Sequence, residues 1–440
     1  MLKNDNSPKT LSVSDAVAVV VGVVVSVGIF KTPSIVAANS GTGNTMLLLW
    51  LAGGVVSLVG ALCYAELTSA YPHAGGDYHY LFRAYGSAAA FLFAWARMTV
   101  IQTGTIAVLA FLIGDYAAEV LSFGGYSASV YAALTIVILS AINITGVRLG
   151  MRTQKALIAS ILLGLIFVAV SGFWIAPAPR GIPSASIPTA ASLGTAMIFV
   201  LFTYGGWNEA AYLSSEVRDP GRNMVRGLLW SIGIITLIYL AVNFVFLKSL
   251  GLSAMAESDA VAADLMRSVL GDAGARLISL LIVVAALSTM NGVIITGART
   301  NYALGCDFSL FGFLGNWKES SGTPVNALVM QGAIALVLVV LGTATKSGFQ
   351  MMVEYTTPVF WFFFLFAGIS LFVLRRTEPD RERPFRVPLY PFTPFLFCVF
   401  CAYMLYSSLA YTGKGALMGV AVLLSGIPLL AIQMRRKNAG

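Results

Sequence analysis

Charge is what this chain has least of. Asp, Glu, Lys and Arg make up 10% of its 440 residues and hydrophobic residues 58%, whereas a soluble domain carries roughly 25% charged residues. With a mean hydropathy of +0.83, this composition excludes an ordinary soluble domain and indicates a polytopic integral membrane protein, with the lipid bilayer as its main partner. Histidine is nearly absent. The two present, His73 and His79, share one loop without the carboxylates of a metal site. The four cysteines include a CxxC pair, Cys398 and Cys401 in "CVFC". That pair lies inside an apolar helix with no second ligand pair, so it reads as packing. No nucleophile, base and metal set converges, so an enzyme is not expected. The net charge of +8 does not point to nucleic acid, because the basic residues fall in short loops between apolar runs. No cleavable signal peptide is evident: the first apolar run is too long for an h-region.

What is abundant is long apolar sequence. A helix needs about 20 apolar residues to cross the bilayer. Twelve segments qualify, near 13–38, 46–70, 88–120, 127–145, 155–176, 191–214, 228–250, 274–303, 324–343, 349–374, 388–411 and 414–434. With the N-terminus inside, nineteen Lys and Arg fall in inner segments and six in outer ones. That bias predicts cytoplasmic termini in an inner (plasma) membrane protein. The expected organisation is a tail over 1–12, a first repeat over 13–180, a second over 181–376, two further spans over 377–434 and a tail over 435–440.

Two spans are interrupted. The first, "VVVGVVVSVGIFKTP" over 20–34, contains Ser26, Gly28, Lys31 and Pro33. The sixth is interrupted by Gly205 and Gly206, with Asn208 and Glu209 just beyond. They are five spans apart, an odd step, so the second copy is inverted relative to the first. Irregular backbone survives in a membrane only where it lines a cavity, and glycine-interrupted helices at corresponding positions of two halves point to a transporter's substrate site. A broken helix exposes N–H groups that suit a carboxylate and C=O groups that suit an ammonium. Two antiparallel broken helices therefore form a cradle for a zwitterion, and an α-amino acid is the natural guest. The competing reading is that the glycines merely allow close helix packing.

The motifs carry a family resemblance. "GIFKTP", "YAELTSAYPHAGGDYHYLFRAYG" (64–86), "FTYGGWNEAAYLSSEVRDPGRN" (202–223), "MNGVIITGART" (290–300) and "RRTEPDRERPFRVPLYP" (375–391) resemble the amino acid–polyamine–organocation superfamily, and within it the bacterial L-type amino acid transporter-like permeases. The resemblance implies an all-α membrane protein with the LeuT-like fold. That fold has twelve transmembrane helices, as a five-plus-five inverted repeat and two C-terminal helices, with alternating access around a mid-membrane site. Carried over, the substrate carboxylate sits on N–H groups at Ser26, Val27 and Gly28. The ammonium meets carbonyls of Val24, Phe202, Thr203 and Gly205. Phe202 is the outer gate, and Asn208 lies near the substrate.

The chain departs from that pattern in two places. The usual Gly-Ser-Gly of the first break is Ser26-Val27-Gly28 here. Many relatives carry a fifth-span lysine in place of a sodium ion, and the matching position falls near Ser160 or Ile161, with Lys155 more than a turn away. The eighth span gains the adjacent hydroxyls Ser288 and Thr289. Hard cations favour oxygen ligands, so these two hydroxyls with first-break carbonyls offer a Na+ site. Ordinary back-bonding to the helix is the alternative. No other cofactor is expected.

Remaining residues have plainer readings. Glu209 either titrates in a proton-coupled cycle or pairs with Arg97. Glu66 ties down the loop that follows the second span. Lys31 reads as a snorkelling or vestibule charge, and the Phe and Trp stripe over 359–367 as lipid-facing bulk. Pro33 lies where its missing N–H costs least, near a break. The expected function is secondary active transport of a neutral amino acid, by symport or antiport. A polyamine permease is the rival within the class, and a transporter-fold sensor the rival outside it.

Overall fold

In the computed structural model, residues 13–25, 28–73, 75–145, 163–164, 166–168, 170–174, 187–213, 217, 219–318, 322–345 and 347–439 are described. Ser26 and Val27 of the first break, Lys155 and positions 160–161 lie outside them. Among the described residues the chain is helical, with one isolated bridge between Lys318 and Thr323.

The first span is two helices, α1 (Val13–Val24) and α2 (Gly28–Ser40). After α3 (Gly43–Ala70), a short α4 (Asp77–Tyr85) leads into the long α5 (Ser87–Val120). Within α5, a π-helical turn spans Arg97–Ile101. Then come α6 (Ser127–Ile144), α7 (Ala190–Tyr204), a 3₁₀ segment (Trp207–Leu213), α8 (Pro220–Leu250) and α9 (Leu252–Glu257). Helix α10 (Val261–Asp307) bends at Gly271, whose φ is 67°. The chain closes with α11 (Val325–Thr343), α12 (Gly348–Thr377), α13 (Phe392–Ala410), α14 (Lys414–Leu424) and α15 (Gly426–Ala439).

Ten helices among the described residues are long and apolar enough to cross a membrane. Two segments that the twelve-span expectation adds are the first, split into pieces of 12 and 13 residues, and the fifth, only partly described. Residues Val25 to Val27 separate the halves of the first. Pro33 sits inside α2, where it leaves the carbonyl of Ile29 without its intrahelical donor.

The broken segments pack on each other, α2 against α7, and α1 packs on α8. Around them lies a scaffold sewn by side-chain amides. Asn143 on α6 donates to Asn291 on α10 at 2.7 Å. Gln102 on α5 donates to the Val293 carbonyl at 2.8 Å and Gln331 on α11 to the Ile294 carbonyl at 3.1 Å. Without a hydrophobic driving force between helices in lipid, such bonds hold them in register. The 359–367 stripe belongs to this core rather than to the lipid face. Val359, Trp361, Phe363, Phe364 and Ala367 are buried, and Phe364 packs on Tyr64, Trp207 and Phe397.

Candidate functional site

Helix α7 ends where Gly205 turns to an extended conformation (φ −59°, ψ 158°) and Gly206 takes φ 103°. Glycine alone adopts that second conformation without strain. The Gly205 N–H donates to the Phe202 carbonyl at 3.0 Å, so that carbonyl is already engaged. On the other side of the contact, the Val25 N–H closes the last turn of α1 on the Val21 carbonyl at 2.7 Å, and α2 resumes at Gly28.

The two breaks meet at Gly28 and Thr203. A Cβ on Gly28 would lie 2.9 Å from Thr203 Cγ2 and 3.1 Å from Thr203 Cα, so only glycine fits. The hydroxyls of Thr32 and Thr203 are 2.6 Å apart. Tyr239 on α8, fully buried, reaches both breaks. Its hydroxyl lies 2.8 Å from the Val24 carbonyl and 3.0 Å from that of Thr203. A phenol has one hydrogen to give two acceptors. It therefore occupies the position between two carbonyls that the family resemblance assigns to an ammonium. Nothing in the sequence singles out Tyr239, an aromatic in an apolar helix. Tyr239→Phe removes the one donor that the two buried carbonyls share, a cost of about 1–3 kcal/mol. We expect it to lower thermal stability and to change substrate affinity, measured by melting with and without substrate.

The other sequence-assigned residues divide. Half-buried Phe202 packs edge-on against Phe349 of α12 at 6.1 Å. Buried Asn208 lines a cavity with Asp77, Arg97 and Glu209. Thr289 donates to the Ala285 carbonyl at 3.3 Å, which is the back-bonding alternative; the hydroxyl oxygen keeps its lone pairs in that bond.

Lys31 is not a snorkelling charge. It is 5% exposed. Its Nζ lies 2.9 Å from Asp115 Oδ2 on α5 and donates at 2.7 Å to the Asp259 carbonyl, between α9 and α10. Beside it the Tyr116 hydroxyl donates to the Phe30 carbonyl at 2.8 Å. Helix α2 is thus tied down on the α9 side. Four residues on from Asp115, Glu119 pairs with Arg267 of α10, so one face of α5 anchors both contacts.

The opposite side, where α4 lies, is also cross-linked. Glu66 takes two bonds from Arg375, at 2.7 and 2.6 Å, and one from the Val387 N–H at 2.7 Å. It secures the loop after the tenth span, not the loop after its own, because the ends of α3 and α12 lie side by side. Arg97 pairs with Glu209 at 3.3 Å, the pairing option read from the sequence. Asp77, 5% exposed, faces the same cavity. It lies on α4, between spans, where burial pushes its carboxyl up to about 6 against the pull of Tyr64 and Arg97. His73 and His79 stack at 4.1 Å, and burial with the neighbouring His73 lowers His79 to about 4.

Known proteins share this sequence pattern over nearly its whole length. A family model described as amino acid permease matches residues 11–426. The serine/threonine exchanger SteT of Bacillus subtilis (strain 168) is 27% identical over 433 residues, 98% of each chain. The b(0,+)-type amino acid transporter 1 of Mus musculus is 27% identical over 398 residues, 88% of this chain and 80% of that one. The large neutral amino acids transporter small subunit 2 of Homo sapiens is 28% identical over 434 residues, 96% and 79%.

Proposed function

Because the chain belongs to the amino acid permease family, within the amino acid–polyamine–organocation superfamily, we propose that it moves neutral α-amino acids across a plasma membrane by alternating access around its two breaks. The observation that carries this reading is the convergence on one phenol. The Val24 carbonyl at the end of α1 and the Thr203 carbonyl near the end of α7 both face the Tyr239 hydroxyl. An incoming ammonium replaces that donor with stronger, charge-assisted bonds. The carboxylate goes to the N–H groups that start α2. Phe202 closes over the substrate from the α9 side, and the excess of basic residues on the α4 side supports placing that side in the cytoplasm. The substrates in the relatives' names, serine and threonine or large neutral amino acids, support the neutral class. Uptake of labelled serine, threonine, leucine and lysine into liposomes tests it. Neutral substrates are expected to accumulate, and uptake of lysine alone would overturn the reading.

Sodium is the proposed co-substrate, held by Ser288 and Thr289 with carbonyls of the first break. Two features support it: no lysine falls at 160–161, and the Thr289 oxygen retains lone pairs. Sodium should tighten substrate binding, and by linkage substrate should tighten sodium. Substrate affinity should fall when choline replaces sodium at fixed pH. Ser288→Ala with Thr289→Ala should erase the difference. Equal affinities in the two salts, with uptake driven only by internal amino acid, would replace symport by exchange.

A further inference from the structure

The cavity beside the second break is lined by Asp77, Phe93, Arg97, Ile101, Asn208, Glu209, Phe360, Phe363 and Phe364. Two carboxylates and one guanidinium thus line the same cavity, and with all three ionised the group carries one excess negative charge. Their surroundings differ. The Glu209 side chain keeps 38% of its exposure and takes hydrogen bonds from Arg97 at 3.3 to 3.5 Å. Asp77 is buried, and its Oδ1 has no hydrogen-bond partner among the described residues. Tyr64 from α3 and Asn208 from the 3₁₀ segment stand near enough to donate to its carboxyl and lower it, as does the charge of Arg97 from α5, while burial and Glu209 raise it, burial most of all. From α12 it meets only phenylalanines in that cavity. A buried carboxylate is costly unless its donors compensate fully; here burial outweighs them, and one hydrogen on Oδ1 removes the charge.

We propose that Asp77 is a proton-binding site, and that its proton holds the 3₁₀ segment after the second break against α4. The direction follows from linkage. Water reaching Asp77 would return its carboxyl toward the ordinary range near 3.9. The closed arrangement therefore binds the proton more tightly than any open one, and acid stabilises it. As pH rises through the buried group's titration, the ionised carboxylate favours hydration and release of the segment. Asn208 and Glu209 belong to that segment, two and three residues beyond Gly206. The gating half of this proposal rests on the transport reading; the titration does not.

Trp207 reports the event. It is buried, and its ring centre is 5.2 Å from that of Tyr64. Its emission in the purified protein, identified by subtraction of Trp207→Phe, is followed between about pH 4.5 and 8. We expect a single transition near pH 6, lost in Asp77→Asn. In Glu209→Gln it should move to lower pH, because the repelling charge is gone and Arg97 is freed. A wild-type protein with no transition, or a transition that survives in Asp77→Asn, overturns the site. If Asp77→Asn does not fold, an unmoved transition in Glu209→Gln overturns it. Counterflow in liposomes then tests the gating half. Wild-type exchange should slow several-fold from about pH 7.5 to 5, and Asp77→Asn should be slow at both. Equal rates in the wild type would leave the proton site standing and remove its role in gating.

Discussion

Gly28→Leu should abolish transport while the protein still inserts and folds. The added Cβ starts 2.9 Å from Thr203 Cγ2, and Thr203 Cα is 3.1 Å away, so the clash is partly with backbone that cannot rotate aside. Relieving it pushes the two breaks apart. Overpacking costs about 1–3 kcal/mol, which a chain of this size tolerates. The transport cost is larger, because a displacement of about 1 Å in a positioned site can cost roughly 10²-fold. Gly28→Ala should show the same defect more weakly. The check is initial uptake rate in liposomes at matched protein content, beside a melting curve. Wild-type rates in Gly28→Leu would mean that the contact between the breaks is not where substrate sits.

The second large effect is expected at Lys31. Removing one partner from a buried ion pair costs about 3–5 kcal/mol, because the other charge is left buried and unpaired. The Asp115 side chain keeps 22% of its exposure, so we expect roughly 2–4 kcal/mol for Lys31→Met. The loss falls on the state seen here, in which α2 is held to α5 and to the α9–α10 connection. A thiol introduced beneath α2 should therefore become reactive from the α9 side in Lys31→Met and stay protected in the wild type. Asp115→Asn should match Lys31→Met, and the double change should cost less than the sum of the two. Protection unchanged in both single variants would show that the pair does not close that side.

The breaks were legible because glycines interrupt two apolar runs at corresponding positions, each beside polar residues; glycines alone also serve close helix packing, as Gly53 and Gly60 do in α3. The Gly205-Gly206 pair ends α7 where its sequence suggests, and the Arg97–Glu209 pairing was one of two options read there. Partners distant in sequence were not legible. Lys31 looked unattached because Asp115 and Asp259 lie on other elements, and no periodicity links a lysine in one span to an aspartate in another. Tyr239 is one more aromatic in an apolar helix until the fold sets its hydroxyl between two carbonyls. Asp77 lay within a quoted motif without a role, since burial, which gives it one, is a property of the packed cavity. The 359–367 stripe was misread because lipid-facing and core-facing aromatics have the same hydropathy in a membrane protein. Glu66 finds its partners far along the chain, in Arg375 of the last turn of α12 and in Arg383 and the Val387 N–H of the loop beyond it.

The account stands on a zwitterion held at both ends by main-chain groups of two broken helices. Competition at equal concentration against labelled serine in counterflow tests that most directly, with serine, its decarboxylated amine and its deaminated hydroxy acid as competitors. Each analogue loses charge-assisted bonds worth about 1.5–3 kcal/mol, so each should compete at least ~10-fold more weakly than serine. An amine that competes as well as serine would contradict the account and identify a permease for amines.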